Sequence, residues 1–168
     1  YKRQIKGDPV HMWDKAELEE AGRWLDRCSF VDQIMSTDLF VVKDDDLIDL
    51  AASIMNWKHI RHVPVEDKNG KFTGLITSRI ILKYYGSSSG DDLKPVFVRD
   101  IKLKNPVTVS PETKTLDAIS VMHEKKLGCL PVVKNEMLLG IVTEHDFMNL
   151  SANLLKEITD AIGSRVKG

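Results

Sequence analysis

Long apolar runs are missing from this chain. Nothing approaches the roughly 18 consecutive apolar residues of a spanning helix, and no secretory leader is visible, so a cytoplasmic chain is expected. Excess charge is missing as well. The 24 Lys and Arg nearly balance 25 Asp and Glu, leaving a net charge of −1, without the basic footprint that nucleic acid or an anionic membrane surface attracts. Cysteine is scarce. Cys28 and Cys129 lack any C-x-x-C spacing, which argues against zinc and suits a reducing compartment where both serve as small buried apolar residues. Aromatics make up only 7% and do not alternate with basic residues as a base-stacking surface requires, so Trp13, Trp24, Trp57 and Phe147 are expected to pack. No P-loop, nucleophile elbow or Gly-rich dinucleotide turn is present, and neither His59-Ile60-Arg61-His62 nor Glu144-His145-Asp146 has metal-ligand spacing. Neither catalysis nor a bound metal is expected.

The 168 residues, 42% hydrophobic and 29% charged, suffice for one compact domain or two small ones burying roughly 70% of the unfolded surface. The first residue is Tyr1 rather than methionine, and the chain is expected to be a segment of a longer protein. Its dominant feature is a repeat. The stretch from Val31 aligns with the stretch from Val98 without a gap at an offset of 67 residues: Ile34 meets Ile101, Val42 meets Val109, Ala51 meets Ala118, Met55 meets Met122 and Pro64-Val65 meets Pro131-Val132. After the following turn the offset becomes 66, and Gly74-Leu75-Ile76-Thr77 meets Gly140-Ile141-Val142-Thr143. One residue has been dropped from a hairpin, where length changes are best tolerated.

Each copy reads as the same unit. A short strand (Leu39 to Lys43; Val107 to Val109) leads to a capping residue, Asp46 or Thr113, and a helix. In the first copy Leu47, Leu50, Ala51 and Ile54 form its apolar face. Two β-branched strands follow, around Val63-Pro64-Val65 and from Phe72 to Thr77, joined through Asp67-Lys68-Asn69-Gly70, whose Asn-Gly favours a hairpin. A second helix opens near Ser78 or Glu144. Between the copies Gly86-Ser87-Ser88-Ser89-Gly90-Asp91-Asp92 has a connector's composition. Outside them, Asp14-Lys15-Ala16-Glu17 has the form of a capping box opening a helix with Leu18, Ala21, Leu25 and Cys28 on one face. Phe147, Leu150, Leu154, Ile158 and Ala161 prolong the last helix to a cap at Gly163. The expected divisions are a helical flank over 1–30, repeats over 31–86 and 98–150, a linker over 87–97 and a helical extension over 151–168.

The twice-occurring order strand, helix, h-P-V strand, hairpin and G-h-h-T, closed in the second copy by Gly140-Ile141-Val142-Thr143-Glu144-His145-Asp146, resembles the tandem cystathionine-β-synthase (CBS) domain pair, or Bateman module, over about Val31 to Leu150. The resemblance implies an α+β fold: two βαββα repeats related by a pseudo-twofold axis, sheets face to face, two clefts between them, and helices at both ends. It also implies a regulatory module for an adenosine-containing ligand (AMP, ADP or ATP) that controls an attached domain or partner. S-adenosylmethionine is the alternative ligand, and a structural dimerisation pair with vestigial clefts the alternative role. The nucleotide would be a regulatory ligand rather than a cofactor, and a homodimer is expected.

The closing motif suits ribose chemically. Two adjacent hydroxyls can both donate to one carboxylate, Asp146, each charge-assisted bond contributing roughly 1.5 to 3 kcal/mol, while Thr143 offers a hydroxyl at a helix start that favours anions. The plainer reading makes Thr143 an N-cap and Asp146 a first-turn residue. By resemblance the cleft also takes Ile141, with Met35, Asp38 and Phe40 near the adenine, Ile60 as an apolar wall, and Arg61 and His62 toward phosphates. The first copy has Ile80 where the second has Asp146. Its cleft, with Thr77, Val107 and Gly128, is therefore expected to be weaker.

Overall fold

The computed structural model describes residues 28–87 and 94–165, with side chains as far as residue 160. The expected helix from Asp14, with Trp13 and Trp24, and most of the connector lie outside the described residues. Within them, the first copy supplies strands β1 (Val42–Lys43), β2 (His62–Glu66) and β3 (Phe72–Thr77) and helices α1 (Ile48–Lys58) and α2 (Ser78–Ser87). The second copy opens with a single helical turn, α3 (Val98–Ile101), and continues through α4 (Thr115–Lys125), β4 (Cys129–Lys134), β5 (Met137–Thr143) and α5 (Glu144–Arg165). This is a mixed α+β fold of two like units, as the repeat implies.

In the first unit β1 pairs parallel with β2 and β2 antiparallel with β3. In the second, β4 and β5 are antiparallel, and a single parallel bridge from Val109 to Val132 repeats the Val42 to Val65 pairing. A proline sits inside both central strands, where a missing N–H would usually break the ladder. Pro131 escapes because its carbonyl accepts from Val109 N at 3.1 Å while the return bond comes from Val133 N. The N–H that proline lacks is not called upon. The hairpins differ as the one-residue deletion requires: Gly70 takes φ 79° in the first, and Asn135 and Glu136 take φ 51° and 65° in the second, the paired left-handed residues of a tight two-residue turn.

The entry segment of each copy does not pack on its own sheet. Ser36 exchanges backbone hydrogen bonds with Ile141 (2.9 and 3.0 Å), and Leu103 with Leu75 (2.8 and 3.0 Å). The start of copy one thus edges the sheet of copy two, and conversely. Val31 belongs to the core of Ala118, Met122, Leu130, Val132 and Val142. Val98 belongs to that of Val42, Ile48, Ala51, Met55, Val63, Val65, Ile76 and Ile81. The glycine of G-h-h-T lies under this crossing: a Cβ at Gly74 would stand 2.5 Å from Leu103 O, and one at Gly140 2.6 Å from Met35 Sδ. Between the two sheets Leu75, Cys129 and Ile141 form a small third core, with Leu39 against it.

Several local expectations need correction. Asp46 and Thr113 do not cap helices. Their side chains accept from Lys43 N (2.7 Å) and Ser110 N (3.1 Å), closing the preceding turns. The first helical N–H groups instead reach the exchanged segments, Ile48 N to Val96 O at 3.0 Å and Thr115 N to Ser29 O at 2.9 Å. On α1 the expected Ala51 is buried and Ile54 packs against the core, but the face is completed by Ile48 and Met55, while Leu47 and Leu50 are exposed. Helix α5 runs through Gly163 to Arg165, since glycine weakens a helix by about 1 kcal/mol but ends it only by turning left-handed. Phe147 does pack on the second core. Trp57 does not pack; it is 74% exposed.

Candidate functional site

Strand β5 ends at Thr143 and α5 begins at once, so the motif's hydroxyl and carboxylate meet across one helical turn. Asp146 Oδ2 accepts from Thr143 N and from Thr143 Oγ1, both at 2.7 Å, and Asp146 N reaches back to Thr143 Oγ1 at 3.4 Å. This is a reciprocal cap, so the plain structural role is filled. The other carboxylate oxygen faces elsewhere. Asp146 Oδ1 accepts from Ser36 Oγ at 3.2 Å, across the crossing of entry segment and sheet. The half-buried carboxylate therefore keeps one oxygen for the helix and turns one toward a hydroxyl of the other copy.

A second group of side chains gathers at the start of β4. Glu144 N donates to Gly128 O at 3.2 Å. A methyl group at Gly128 would lie 3.1 Å from both Cε1 and Nε2 of His62 and 3.9 Å from Glu144 Oε2. Gly128 is thus the spot where a ring from the first copy and a carboxylate from the second stand against one backbone. Burial pushes the His62 pKa below its usual value; Glu144 opposes this and Arg61 adds to it. Burial, reinforced by the Glu144 charge, pushes the Cys129 thiol up to about 12, which leaves it protonated and unreactive. Arg61 is exposed, as the residue next to an inward-facing one on an extended chain should be.

The other expected residues are distributed around these two groups. Met35 lies over Gly140, and Ile141 is in the inter-sheet core beside Leu39. Phe40 is half-buried with the Lys58 ammonium 4.3 Å from its ring centre. Asp38 is exposed. Ile60 lies instead against the first core, where with Ala52, Met55, Asn56, Ser78, Ile81 and Leu82 it lines a hollow of about 300 Å³ between α1 and α2. In the first copy Thr77 Oγ1 accepts from Ile80 N at 3.2 Å, which preserves half of the reciprocal cap. The polar pair Ser36 and Asp146 is replaced at that crossing by the aliphatic pair of Leu103, from the second copy, and Ile80, from the first. Val107 lies exposed in the loop before the Val109 bridge.

Sequence reasoning missed Ser36, whose signal was the alignment of a hydroxyl with Leu103. It also missed a buried ionic clamp. Lys102 Nζ, its side chain 7% exposed, donates to Asp44 Oδ1 at 2.5 Å and Thr73 Oγ1 at 2.7 Å. At the other crossing the equivalent positions are Met35, Pro111 and Leu139. The two halves thus hold their entry segments by different means.

Comparison with known proteins bears on this arrangement. The CBS domain family model matches residues 31–87 and 98–153. A CBS domain-containing protein of Dictyostelium discoideum is 30% identical over 137 residues, covering 76% of this chain and 94% of its own length. A homoserine O-acetyltransferase of Methanohalobium evestigatum is 34% identical over 123 residues, but this chain spans only 24% of that enzyme. Among solved structures, the CBS domain pair of protein MJ0100 in complex with 5′-methylthioadenosine and S-adenosylmethionine has TM-score 0.64 and 27% identity, covering 73% of this chain and 98% of that one. CBSX2 in complex with AMP has TM-score 0.65 and 25% identity, covering 75% and 98%. Among the described residues no helix is long and apolar enough to cross a membrane.

Proposed function

Because the chain belongs to the CBS domain family, with two copies in tandem, we propose that it is a regulatory module that binds an adenosine-containing ligand at the first turn of α5. The Asp146 oxygen turned toward Ser36 carries this reading. A ribose diol entering there would replace one hydroxyl donor by two, without disturbing the bonds that Oδ2 makes to Thr143. Both solved relatives hold adenosine compounds. The other crossing, where Leu103 and Ile80 stand in place of the polar pair, offers the sugar no such acceptor, so binding is one-sided.

The ligand bridges elements of both copies and acts on their relative arrangement, which an attached domain or partner then reads. The compound is a signal and not a cofactor, and the module performs no chemistry of its own. A cytoplasmic setting fits two buried cysteines that form no disulfide. The module also pairs with a second copy through its helices, since Leu82 and Met148, equivalent positions on α2 and α5, are 71% and 67% exposed.

Calorimetry and thermal melting test the binding. An adenosine ligand at about a hundred times its Kd should stabilise the fold by roughly 2.7 kcal/mol, raising Tm by roughly 5 to 11 °C for a domain of this size. Asp146→Ala should weaken binding by one to two powers of ten, and guanosine compounds should do much less than adenosine ones. No response to any adenosine compound at millimolar concentration would instead support a purely structural pair with vestigial clefts.

A further inference from the structure

The two ends of the proposed cleft differ in charge. Along β5 the Met35 thioether stands over Gly140, Asp146 with Ser36 is held at Thr143, and Gly128 lies one residue before Cys129, the partner of Thr143. The 5′ substituent of an adenosine so placed is left with the end formed by His62, Gly128 and Glu144. The charges there are unfavourable to phosphate. Glu144 and Asp146 put two carboxylates on one helical turn. The helix N-terminus, a partial positive charge of about one half, is already engaged where Thr143 N donates to Asp146. His62 faces Glu144 across Gly128, and its lowered pKa leaves the ring uncharged at neutral pH. Arg61, next to His62, and Lys126, two residues before Gly128, are both exposed to solvent. Both carboxylates are particular to this half, since the first copy has Ser78 and Ile80 in their places.

We infer that Glu144 sets the charge of the ligand, so that the cleft takes adenosine derivatives with a neutral or cationic 5′ group, such as a thioether or sulfonium, in preference to nucleoside phosphates. This rests on the adenosine reading above and narrows it, away from the AMP, ADP or ATP that Arg61 and His62 suggest in sequence. The physics is like-charge repulsion: a phosphate dianion brought within about 6 Å of a carboxylate is weakened by about one power of ten even at the dielectric constant of bulk water, and by more in a partly desolvated cleft. A sulfonium gains from the same carboxylate. A thioether is indifferent to it.

The test is a titration of the full chain at pH 7.5 and low salt with 5′-methylthioadenosine, S-adenosylmethionine, AMP and ATP, repeated on Glu144→Gln. The expected order in the wild type is S-adenosylmethionine and 5′-methylthioadenosine at least tenfold tighter than AMP, with ATP weakest. In Glu144→Gln the ratio of AMP to 5′-methylthioadenosine affinity should rise about tenfold. AMP or ATP binding more tightly than the thioether in the wild type overturns the inference while leaving the adenosine reading intact. So does an unchanged ratio in Glu144→Gln. If none of the four binds, the adenosine reading itself falls and takes this inference with it.

Discussion

Thr115 is a polar residue in an apolar place. It opens α4 and is 4% exposed, and its hydroxyl has no hydrogen-bond partner among the described residues. The equivalent position in the first copy is Ile48, a core residue. An orphaned buried hydroxyl costs about 1 to 3 kcal/mol, whereas an isosteric apolar group costs nothing comparable. Thr115→Val should therefore stabilise the protein by about 1 kcal/mol and raise Tm by roughly 2 to 4 °C, read by thermal denaturation; a lower Tm would mean that the hydroxyl is satisfied after all. Legibility at this scale followed sequence distance. Thr143 and Asp146 could be paired from the sequence because one helical turn fixes their separation. Ser36 could not, since 110 residues separate it from Asp146, and only the crossing of the entry segment brings them together.

At the scale of elements, the order of strands and helices could be read from the repeat, because alternation, Asn-Gly and the h-P-V strand are local signals. The starts of the helices could not. A capping residue is sought in the sequence just before a helix, yet α1 and α4 take their first acceptors from the backbone of Val96 and Ser29, far away in the chain. That same exchange also accounts for the glycine of G-h-h-T, and the two glycines should not tolerate change equally. At Gly140 a methyl group meets chiefly the flexible side chain of Met35, with Ser36 O at 3.0 Å, whereas at Gly74 it meets the backbone oxygen of Leu103 at 2.5 Å. Gly74→Ala should lose about 3 kcal/mol and Gly140→Ala about 1 kcal/mol, within the usual span for overpacking. Urea denaturation of the two variants measures this, and equal losses would show that the entry segments yield equally.

For the whole molecule, the pseudo-symmetry of exposed apolar positions is the feature that points outward. Leu82 and Met148 are equivalents on α2 and α5, and Trp57, Leu116 and Leu155 add further apolar surface on α1, α4 and α5. Two copies meeting through α2 and α5 would cover Leu82 and Met148 by symmetry. Leu82→Glu with Met148→Glu should convert a dimer into a monomer in sedimentation equilibrium without lowering the helical signal. A monomeric wild type at 100 μM (about a hundred times a micromolar Kd) would refute the pairing. The exchanged entry segments have a different implication. A single repeat cut from this chain would lack Val31 or Val98 from its interior and would keep, unburied, the segment meant for its sibling. Supplied with an identical twin, it could trade segments and become whole. The tandem chain is, in this sense, a swapped dimer written as one polypeptide, in which each half completes the interior of the other.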